Sequence, residues 1–354
     1  MKCSVSKTPF EIILSNFQSF LEKRDFSQIT SHICFECENN KLTLKATDYE
    51  IAIVSQIEVS MEREGKATVN GKDILSNIKN LKEGDILLEV QDDNLIIKQG
   101  KSTSYKVQMF NATEFPAMPQ YETNQQINID SQKFLSSMRK INSSTDTNNP
   151  KFELNGALLD VKEYSFNFVA TDTRRLAIVK HESQGINTLG IIIPKRAINE
   201  ILKLFVDSIE IFFNDTHIIV KSPQYTFFSK VINGKYPDYE KIIPKEFNYQ
   251  IKLPKSEFIE ANKIVSSGSG KIKITITKDR ILFDSIGNEA NEAHTEIEIQ
   301  TEIENFVFGV ESKYLADFLS QVESNEFTLG IKEENTPFTL SDNNFSTIIM
   351  PVIL

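Results

Sequence analysis

The chain has 354 residues and a formal net charge of −10, so it is long enough for two or three domains and too acidic to bind nucleic acid over its whole surface. Its apolar content of 40% and charged content of 25% exclude a wholly disordered chain, and no apolar run approaches the roughly 20 residues that span a bilayer. Three cysteines, an odd number, exclude a disulfide framework and predict a reducing, cytoplasmic location.

The predicted elements recur along the chain at nearly constant spacing. Phe10, Phe134 and Phe258 each follow a polar lead-in and open an amphipathic run, and both intervals between them are 124 residues. The motif at 46–54, which begins Ala-Thr-Asp, returns at 170–179 with the same offset. Several shared motifs in one order are the signature of an internal repeat. They predict three homologous domains, at residues 1–122, 123–246 and 247–354.

Each repeat is predicted to contain two helices and several short strands. Alternating or continuous apolar runs such as 41–45, 94–98 and 271–277 predict strands, and the polar turns between them favour antiparallel pairing. Two segments of each repeat instead have apolar residues at helical spacing. The fold class is therefore α+β, with two helices packed on antiparallel sheet in every domain. The six predicted helices are 7–24, 71–82, 132–141, 194–206, 255–265 and 311–319.

Charge is divided unevenly between the predicted helices and the rest of the chain. The six helical segments together carry a formal charge of +7, so the remainder carries −17 to reach the total of −10. If the helices share one side, that side can hold a polyanion through phosphate contacts while the sheets repel it. Solvated helix faces also often carry lysine, and before the repeat is considered that explanation is equally good.

Five motifs give the chain a family resemblance. The segments 115–119, 155–159, 170–177, 234–239 and 350–354 resemble those of the bacterial sliding clamps, the beta subunits of DNA polymerase III. The resemblance covers the whole chain. It implies a head-to-tail homodimer that closes a six-domain ring around double-stranded DNA without reading its sequence, with helices inside and sheets outside. It further implies no catalysis, cofactor, metal or membrane, and as partners the polymerase III catalytic subunit, the clamp loader, other polymerases and repair proteins.

The resemblance also implies a groove between the second and third domains that binds a short, largely apolar peptide. Apolar side chains would bury the peptide's anchors and Arg175 would form the rim. From the residues alone, each of Leu154, Leu176 and Ile348 fits a buried core equally well. The family usually has glycine and histidine where Thr173 and Arg174 stand, and arginine at Ile353, which predicts a narrower floor and a less basic edge. The groove set is Leu154, Thr171, Thr173, Arg174, Arg175, Leu176, Pro237, Lys241, Ile242, Ile348, Met350, Pro351, Val352 and Leu354.

Two further sets concern DNA and the dimer. Arg24, Lys195 and Arg196 match DNA-contacting positions of the family, and Phe152 matches a position that is commonly aromatic. Charge and helix placement add three basic residues to the DNA-binding set, namely Lys133, Arg139 and Lys140. The dimer seam is predicted to join one copy to Ile264 and Val265 of the other. The first copy would contribute Ile74, Ile78, Leu81, Tyr105 and Val107.

Alternative functions have weaker support in the sequence. A non-encircling repeat scaffold that binds peptides through the same groove is the alternative to a ring. A metal or redox site at Cys34 and Cys37 is disfavoured, because there is no second cysteine pair and this spacing on a strand directs the two sulfurs to opposite faces. The pairs Thr47-Asp48 and Thr171-Asp172 are predicted to form turns rather than paired catalytic carboxylates.

Overall fold

The computed structural model describes residues 1–25, 28–121, 124–182, 188–267, 270–287 and 292–354. The predicted boundary between residues 122 and 123 lies outside these ranges. Within the described residues the chain forms six α-helices and 25 β-strands, and every paired strand runs antiparallel to its neighbour. The predicted α+β class with two helices per repeat is confirmed. The helices are α1 Lys7–Phe17, α2 Gly71–Lys79, α3 Ser131–Asn142, α4 Lys195–Leu204, α5 Lys255–Ser266 and α6 Ser312–Leu319.

The first helix is shorter than the sequence pattern predicted. It ends at Phe17, a single 3₁₀ turn follows over Gln18–Phe20, and the backbone is extended at Leu21. Phe20 and Leu21 are nevertheless buried, so their apolar character reflects packing beyond the helix rather than a continuation of it. The other five helices begin and end within three residues of their predicted limits.

The strands are short and most lie one hairpin turn apart. The predicted strands at 41–45, 94–98 and 271–277 fall inside the third, eighth and nineteenth strands of the structure. In chain order the strands are β1 Lys2–Ser6, β2 His32–Glu38, β3 Lys41–Thr47, β4 Ile51–Glu58, β5 Ser60–Arg63, β6 Gly65–Asn70, β7 Asp85–Gln91, β8 Asn94–Gln99, β9 Thr103–Gln108, β10 Gln125–Gln126, β11 Gly156–Lys162, β12 Ser165–Thr171, β13 Arg175–Glu182, β14 Leu189–Pro194, β15 Glu210–Phe213, β16 His217–Lys221, β17 Tyr225–Lys230, β18 Tyr249–Pro254, β19 Lys271–Thr277, β20 Arg280–Ile286, β21 His294–Glu298, β22 Asn305–Glu311, β23 Glu326–Ile331, β24 Phe338–Asp342 and β25 Phe345–Ile349.

The chain divides into two compact units whose limits cut across the predicted domains. The first unit comprises Met1–Leu135 and Asn199–Val231, and the second comprises Ser136–Ile198 and Ile232–Leu354. The first contains a five-stranded sheet, β5-β1-β7-β8-β9, and an eight-stranded sheet, β10-β15-β16-β17-β4-β3-β2-β6. The second contains an eight-stranded sheet, β14-β11-β12-β13-β25-β24-β23-β18, and a four-stranded sheet, β21-β20-β19-β22.

Strand pairing explains why the units differ from the repeats. β17 of the second repeat pairs with β4 of the first, with Phe228 opposite Ala52. β25 of the third repeat pairs with β13 of the second, with Ile348 opposite Leu176. Each eight-stranded sheet is therefore continuous across a repeat boundary, and the second repeat is shared between the two units.

The three marker phenylalanines occupy equivalent sites in the core. Phe10, Phe134 and Phe258 are each the fourth residue of their helix, and all three side chains are buried. Phe258 makes edge contacts with Phe283 and Phe327, each with ring centroids 5.1 Å apart. Because burial of one phenylalanine contributes about 1.5–3 kcal/mol, the repeated residue fixes the same face of each first helix on its sheet. The predicted internal repeat is confirmed.

Candidate functional sites

A tight turn between β12 and β13 carries several of the predicted groove residues. The Thr171 hydroxyl accepts the amide of Thr173 at 3.1 Å and donates to the carbonyl of Arg175 at 2.6 Å. The Asp172 carboxylate accepts the amides of Arg174 and Arg175, both at 3.0 Å. These bonds hold Thr173 at a φ of +76°, in the left-handed region that favours glycine. The turn thus presents Thr173 and Arg174 in one fixed conformation.

The same turn occurs between β3 and β4 in the first repeat. Thr47 accepts the amide of Tyr49 and donates to the carbonyl of Ile51, both at 3.0 Å. The Asp48 carboxylate accepts the amides of Glu50 and Ile51, also at 3.0 Å, and Tyr49 has a φ of +71°. The prediction that both Thr-Asp pairs form turns is therefore confirmed.

The C-terminal tail, residues 350–354, is fixed against this turn and against β22. The Met350 amide donates to the carbonyl of Arg174, and the Val352 amide donates to the carbonyl of Gly309, both at 2.9 Å. A Cβ atom at Gly309 would lie 2.7 Å from the Val352 carbonyl oxygen and 3.0 Å from Leu354 Cδ2. Glycine at this position is therefore what allows the tail to lie on the strand.

An open cavity of about 880 Å³ lies between the turn and the tail. Its walls combine apolar tail residues with two cationic side chains and no carboxylate. Ile353 is 93% exposed and Met350 is also exposed, so the apolar surface here is available to a ligand. The lining residues are Thr173, Arg174, Lys271, Asn335, Met350, Pro351, Val352 and Ile353. Arg174 and Lys271 both contribute positive charge to this lining, and the expectation of an edge less basic than the family's stays a prediction.

Three predicted groove residues belong to a buried apolar cluster. Leu154, Leu176 and Ile348 come from distant segments, and each is almost fully buried. They form core in this conformation, so they offer no open floor to a peptide. The remainder of the cluster is Leu158, Val169, Ile178, Ile192, Ile232, Tyr236 and Tyr239, with Ile243 packed against it.

The end of the second repeat contributes three exposed groove candidates, Pro237, Lys241 and Ile242. Pro237 and Lys241 are exposed, and Lys241 forms an ion pair with Asp238 at 2.9 Å. Ile242 is also exposed, whereas its neighbour Ile243 packs against the buried cluster. Ile242 is therefore an apolar side chain that a ligand could cover.

Arg175 does not form the groove rim. Its side chain is buried, with Nε 3.0 Å from the Asp172 carboxylate and one terminal nitrogen 2.7 Å from the Asp317 carboxylate. Its other terminal nitrogen donates to the Ser143 carbonyl, and the guanidinium lies 4.4 Å from the centre of the Tyr314 ring. Because these groups surround the cation, its role is to connect segments of the second unit, and the predicted rim role is wrong.

The predicted DNA-binding residues differ in how exposed they are. Lys140 is buried, forms an ion pair with Glu323 at 2.9 Å and lies 6.0 Å from the Phe345 ring centre, so it is not placed to contact phosphate. Burial lowers the pKa of Lys195, whose ammonium donates to the Thr145 carbonyl. The exposed members of the set are Arg24, Lys133, Arg139, Phe152 and Arg196.

Most residues predicted for the dimer seam are core residues. Ile74, Ile78 and Val265 have no exposed surface, because they lie on the buried faces of α2 and α5. Leu81 and Val107 are also buried. These five are corrected to structural positions within their own unit.

Tyr105 and Ile264 are the two seam candidates that retain exposed surface. Ile264 is exposed and Tyr105 is partly buried. Tyr105 lies on β9, which is an edge strand of the five-stranded sheet. Ile264 lies on α5, which packs against β21, an edge strand of the four-stranded sheet. Both candidates are therefore on or beside a sheet edge.

Comparison with known proteins decides the family. Models of the DNA polymerase III beta subunit match its N-terminal domain at residues 1–119, its central domain at 128–238 and its C-terminal domain at 240–353. The chain belongs to the beta sliding clamp family. It is 38% identical to the beta sliding clamp of Helicobacter pylori (strain ATCC 700392 / 26695), with all of both chains covered. Members are replication processivity factors.

Solved sliding clamps have the same fold. The structure of the Helicobacter pylori beta clamp bound to a DNA ligase peptide matches with a TM-score of 0.96 and 38% identity, covering all of both chains. The DNA polymerase III subunit beta from Pseudomonas aeruginosa matches with a TM-score of 0.93 and 21% identity, again over all of both chains. The predicted family and three-domain clamp fold are confirmed.

Sequence reasoning missed several residues that line this cavity, form the buried cluster or hold the tail. Lys271 and Asn335 line the cavity although neither belongs to a motif that marked the family. Tyr236 and Tyr239 belong to the buried cluster, and their position inside the family motif at 234–239 could have predicted this. Gly309 had no sequence signal, because its importance depends on a tail that is distant in the chain.

Neither metal ligands nor membrane spans were found in the described part of this clamp. No group of three or more histidine, cysteine, aspartate or glutamate side chains is arranged to hold a metal ion there. None of the described helices is both long and apolar enough to cross a bilayer. Cys3, Cys34 and Cys37 are all buried, and burial raises the pKa of the Cys3 thiol to about 12, which suppresses the reactive thiolate.

Proposed function

We propose that two copies of this chain close a ring around double-stranded DNA and act, without catalysis, as a cytoplasmic processivity factor. Each copy would contribute three domains, at 1–122, 123–246 and 247–354. The observation that carries the proposal is that β9 and β21, the counterparts in the repeat of strands that pair across repeat boundaries, each end a sheet among the described residues. Retention by enclosure needs no sequence-specific contact, because phosphate contacts carry no sequence information and permit sliding.

The repeat indicates how a second copy would bind. Isolated β-bridges place Met109, Ile232 and Val352 at equivalent points, each paired with a strand of its own repeat. The residues four positions before these three are, in the same order, Tyr105, Phe228 and Ile348. Phe228 and Ile348 each pair across a repeat boundary, whereas Tyr105 lies on β9 at the free edge of its sheet. Tyr105 is therefore the residue left to pair with another chain.

β21 supplies the matching edge. In the third repeat, β21 follows β20 in the chain and pairs with it, just as β13 follows and pairs with β12 in the second repeat. β13 also pairs with β25 on its other side, so β21 is the equivalent strand for a partner. A β9 to β21 pair between two copies would be head-to-tail and would close after two subunits. Charge supports this match, because β21 carries Glu296 and Glu298 while β9 carries Lys106.

The helices carry the net positive charge that a DNA-facing side needs. Over their observed lengths the six helices carry a formal charge of +6, so the remainder of the chain carries −16. Most of this charge is on α3 and α4, which carry +3 and +2. Exposed Arg139 and Arg196 on these helices are the residues we assign to phosphate contact.

The groove is proposed to tether partner proteins by short apolar motifs. The solved Helicobacter pylori clamp holds a DNA ligase peptide, and its identity to this chain is 38%. We infer that the cavity between the turn and the tail is where such peptides bind here. The proposed partners are the polymerase III catalytic subunit, the clamp loader, other polymerases and repair proteins.

The ring is tested by loading the protein onto nicked circular DNA and then linearising the circle. Retention on the circle with release after linearisation is expected, whereas equal retention on both forms contradicts enclosure. Light scattering should give twice the chain mass of 40.3 kDa. Tyr105→Glu combined with Ile264→Glu should give the monomer mass, since each added carboxylate replaces an apolar contact and would lie beside the acidic strand β21.

The groove and the helices are tested separately. Deletion of Met350–Leu354 should weaken binding of the ligase peptide while the dimer mass is unchanged. Arg139→Glu with Arg196→Glu should weaken DNA loading and reduce its dependence on salt, with peptide binding unchanged. Peptide binding that survives the deletion would place the groove elsewhere.

A further inference from the structure

We propose that the free edge of β18 binds an extended partner segment by strand addition, and that this segment carries an acidic residue directly before an unbranched apolar one. Across the described ranges β18 pairs with β23 alone and ends its eight-stranded sheet. The register to β23 continues to Lys255, whose amide donates to the Asn325 carbonyl at 2.9 Å. Since bonded and non-bonded pairs alternate along antiparallel strands, the amides and carbonyls of Gln250 and Lys252 point to the open edge. An added strand binds such unpaired edge groups.

The first repeat shows how an equivalent edge is filled. Counted from the marker phenylalanines of α1 and α5, Lys2 and Ser4 of β1 correspond to Gln250 and Lys252 of β18. β5 pairs with this edge of β1, opposite Lys2 and Ser4, so β1 lies inside its sheet while β18 ends its own. The repeat therefore accepts an added strand at this place, and in the third repeat the place is open to another chain.

The third repeat has a segment as long as the one that forms β5, but that segment is bonded elsewhere. Residues 59–64 join β4 to β6, and residues 299–304 join β21 to β22. The Thr301 amide donates to the Lys278 carbonyl at 2.9 Å, and its hydroxyl donates to the Thr277 carbonyl at 2.8 Å. These bonds hold the segment at the turn between β19 and β20 and not in a pair with β18. An open cavity of about 440 Å³ is lined by both segments.

The cavity and the charge beside it define what the partner segment carries. Ile251 and the buried Ile303 both line the cavity. The counterpart of Ile251 in the first repeat is Cys3, and Met61 of β5 lies opposite it, so an unbranched apolar side chain fits here. Lys252, the next residue on β18, is exposed and forms no ion pair among the described residues. In an antiparallel added strand, the residue before the apolar one lies opposite this ammonium, and a carboxylate there would pair with it.

A short peptide tests the edge in the full-length protein. The probe is Val-Glu-Met-Thr-Val with both ends blocked and a fluorophore on an added N-terminal glycine. Anisotropy should report binding, and hydrogen exchange resolved to single amides should show new protection at Gln250 and Lys252. A probe with glutamine in place of glutamate should bind about two- to fivefold more weakly at low salt, as for one exposed ion pair. Lys252→Gln should remove that difference, whereas Lys313→Gln, at an exposed position on α6, should leave it unchanged.

Methylation of the probe's backbone separates strand addition from contact by side chains alone. A methyl group on the glutamate nitrogen removes the donor to the Lys252 carbonyl and should weaken binding about fivefold or more. A methyl group on the methionine nitrogen, which points away from the edge, is the matched control and should change binding little. Equal effects of the two methyl groups, or no binding of the probe, overturns the proposal. Displacement of the probe by the ligase peptide also overturns it, because the probe would then occupy the groove.

Discussion

The guanidinium of Arg175 lies 2.7 Å from the carboxylate of Asp317, although 142 residues separate them in the chain. The same arginine also bonds to Asp172 and to the Ser143 carbonyl and stacks on Tyr314. Residues of the second and third repeats thus share one buried cation. The pairing of β13 with β25 brings the same repeats together, so the arginine and the sheet stabilise one junction.

Arg175→Ala should lower the stability of the fold, because the side chain holds the structure together and does not line the cavity. The substitution leaves Asp172 and Asp317 without their cation in a largely buried site, which typically costs about 3–5 kcal/mol. Urea unfolding should show a lower free energy of unfolding by roughly that amount. Arg174→Ala is the matched control, because its side chain is exposed, and it should change stability little. Equal stability of the two variants would contradict the buried role of Arg175.

Thr173→Gly should stabilise the protein. A β-branched residue at a φ of +76° is strained by about 1–3 kcal/mol, whereas glycine adopts this conformation freely and loses part of that gain to unfolded-state entropy. A net increase of about 1 kcal/mol in unfolding free energy is expected. Tyr49→Gly, in the equivalent turn at +71°, should have an effect of the same sign. Loss of stability in both variants would show that the turns are not strained.

The sequence predicted the helices well because their signals are local. Apolar residues at helical spacing depend on nothing outside each segment, and the phenylalanine that recurs every 124 residues marks the first turn of three of these helices. The sharing of the second repeat between two units was not predictable, because it arises from strand pairs such as Phe228 with Ala52. Those partners are far apart in the chain, and alternation alone does not identify them.

The site was predicted less well for the same reason. Family motifs correctly brought the turn at 171–175 together with the tail, because both stand within short recognisable segments. Motifs did not distinguish the exposed Arg174 from the buried Arg175, since adjacent residues in a turn point in different directions. Ile74 and Val265 were placed in the dimer seam for their apolar character, which core residues have equally.

Gly309→Ala should release the C-terminal tail. The added Cβ would lie 2.7 Å from the Val352 carbonyl oxygen, so the backbone of the tail must shift. Loss of the Val352 hydrogen bond, worth about 1 kcal/mol, should raise hydrogen exchange at that amide roughly fivefold. Gly190→Ala is the control, because its Cβ would meet Leu158 at an ordinary 3.8 Å. Unchanged exchange in Gly309→Ala would show that the tail is held by other contacts.

Glu36→Gln should weaken the dependence of stability on acid pH. Burial raises the pKa of Glu36, but hydrogen bonds from Lys45 and Lys66, at 2.5 and 2.8 Å, outweigh it and hold the pKa below its usual 4.5. A carboxyl whose folded pKa is depressed contributes stability above its unfolded pKa and loses it as pH falls through the folded pKa. Urea midpoints measured from pH 7 to below 4 should therefore fall less steeply in Glu36→Gln than in the parent. Glu38→Gln, at an exposed position two residues along the same strand, is the control and should retain the parent's slope. An identical acid profile for Glu36→Gln and the parent would mean that this cluster does not contribute to folding.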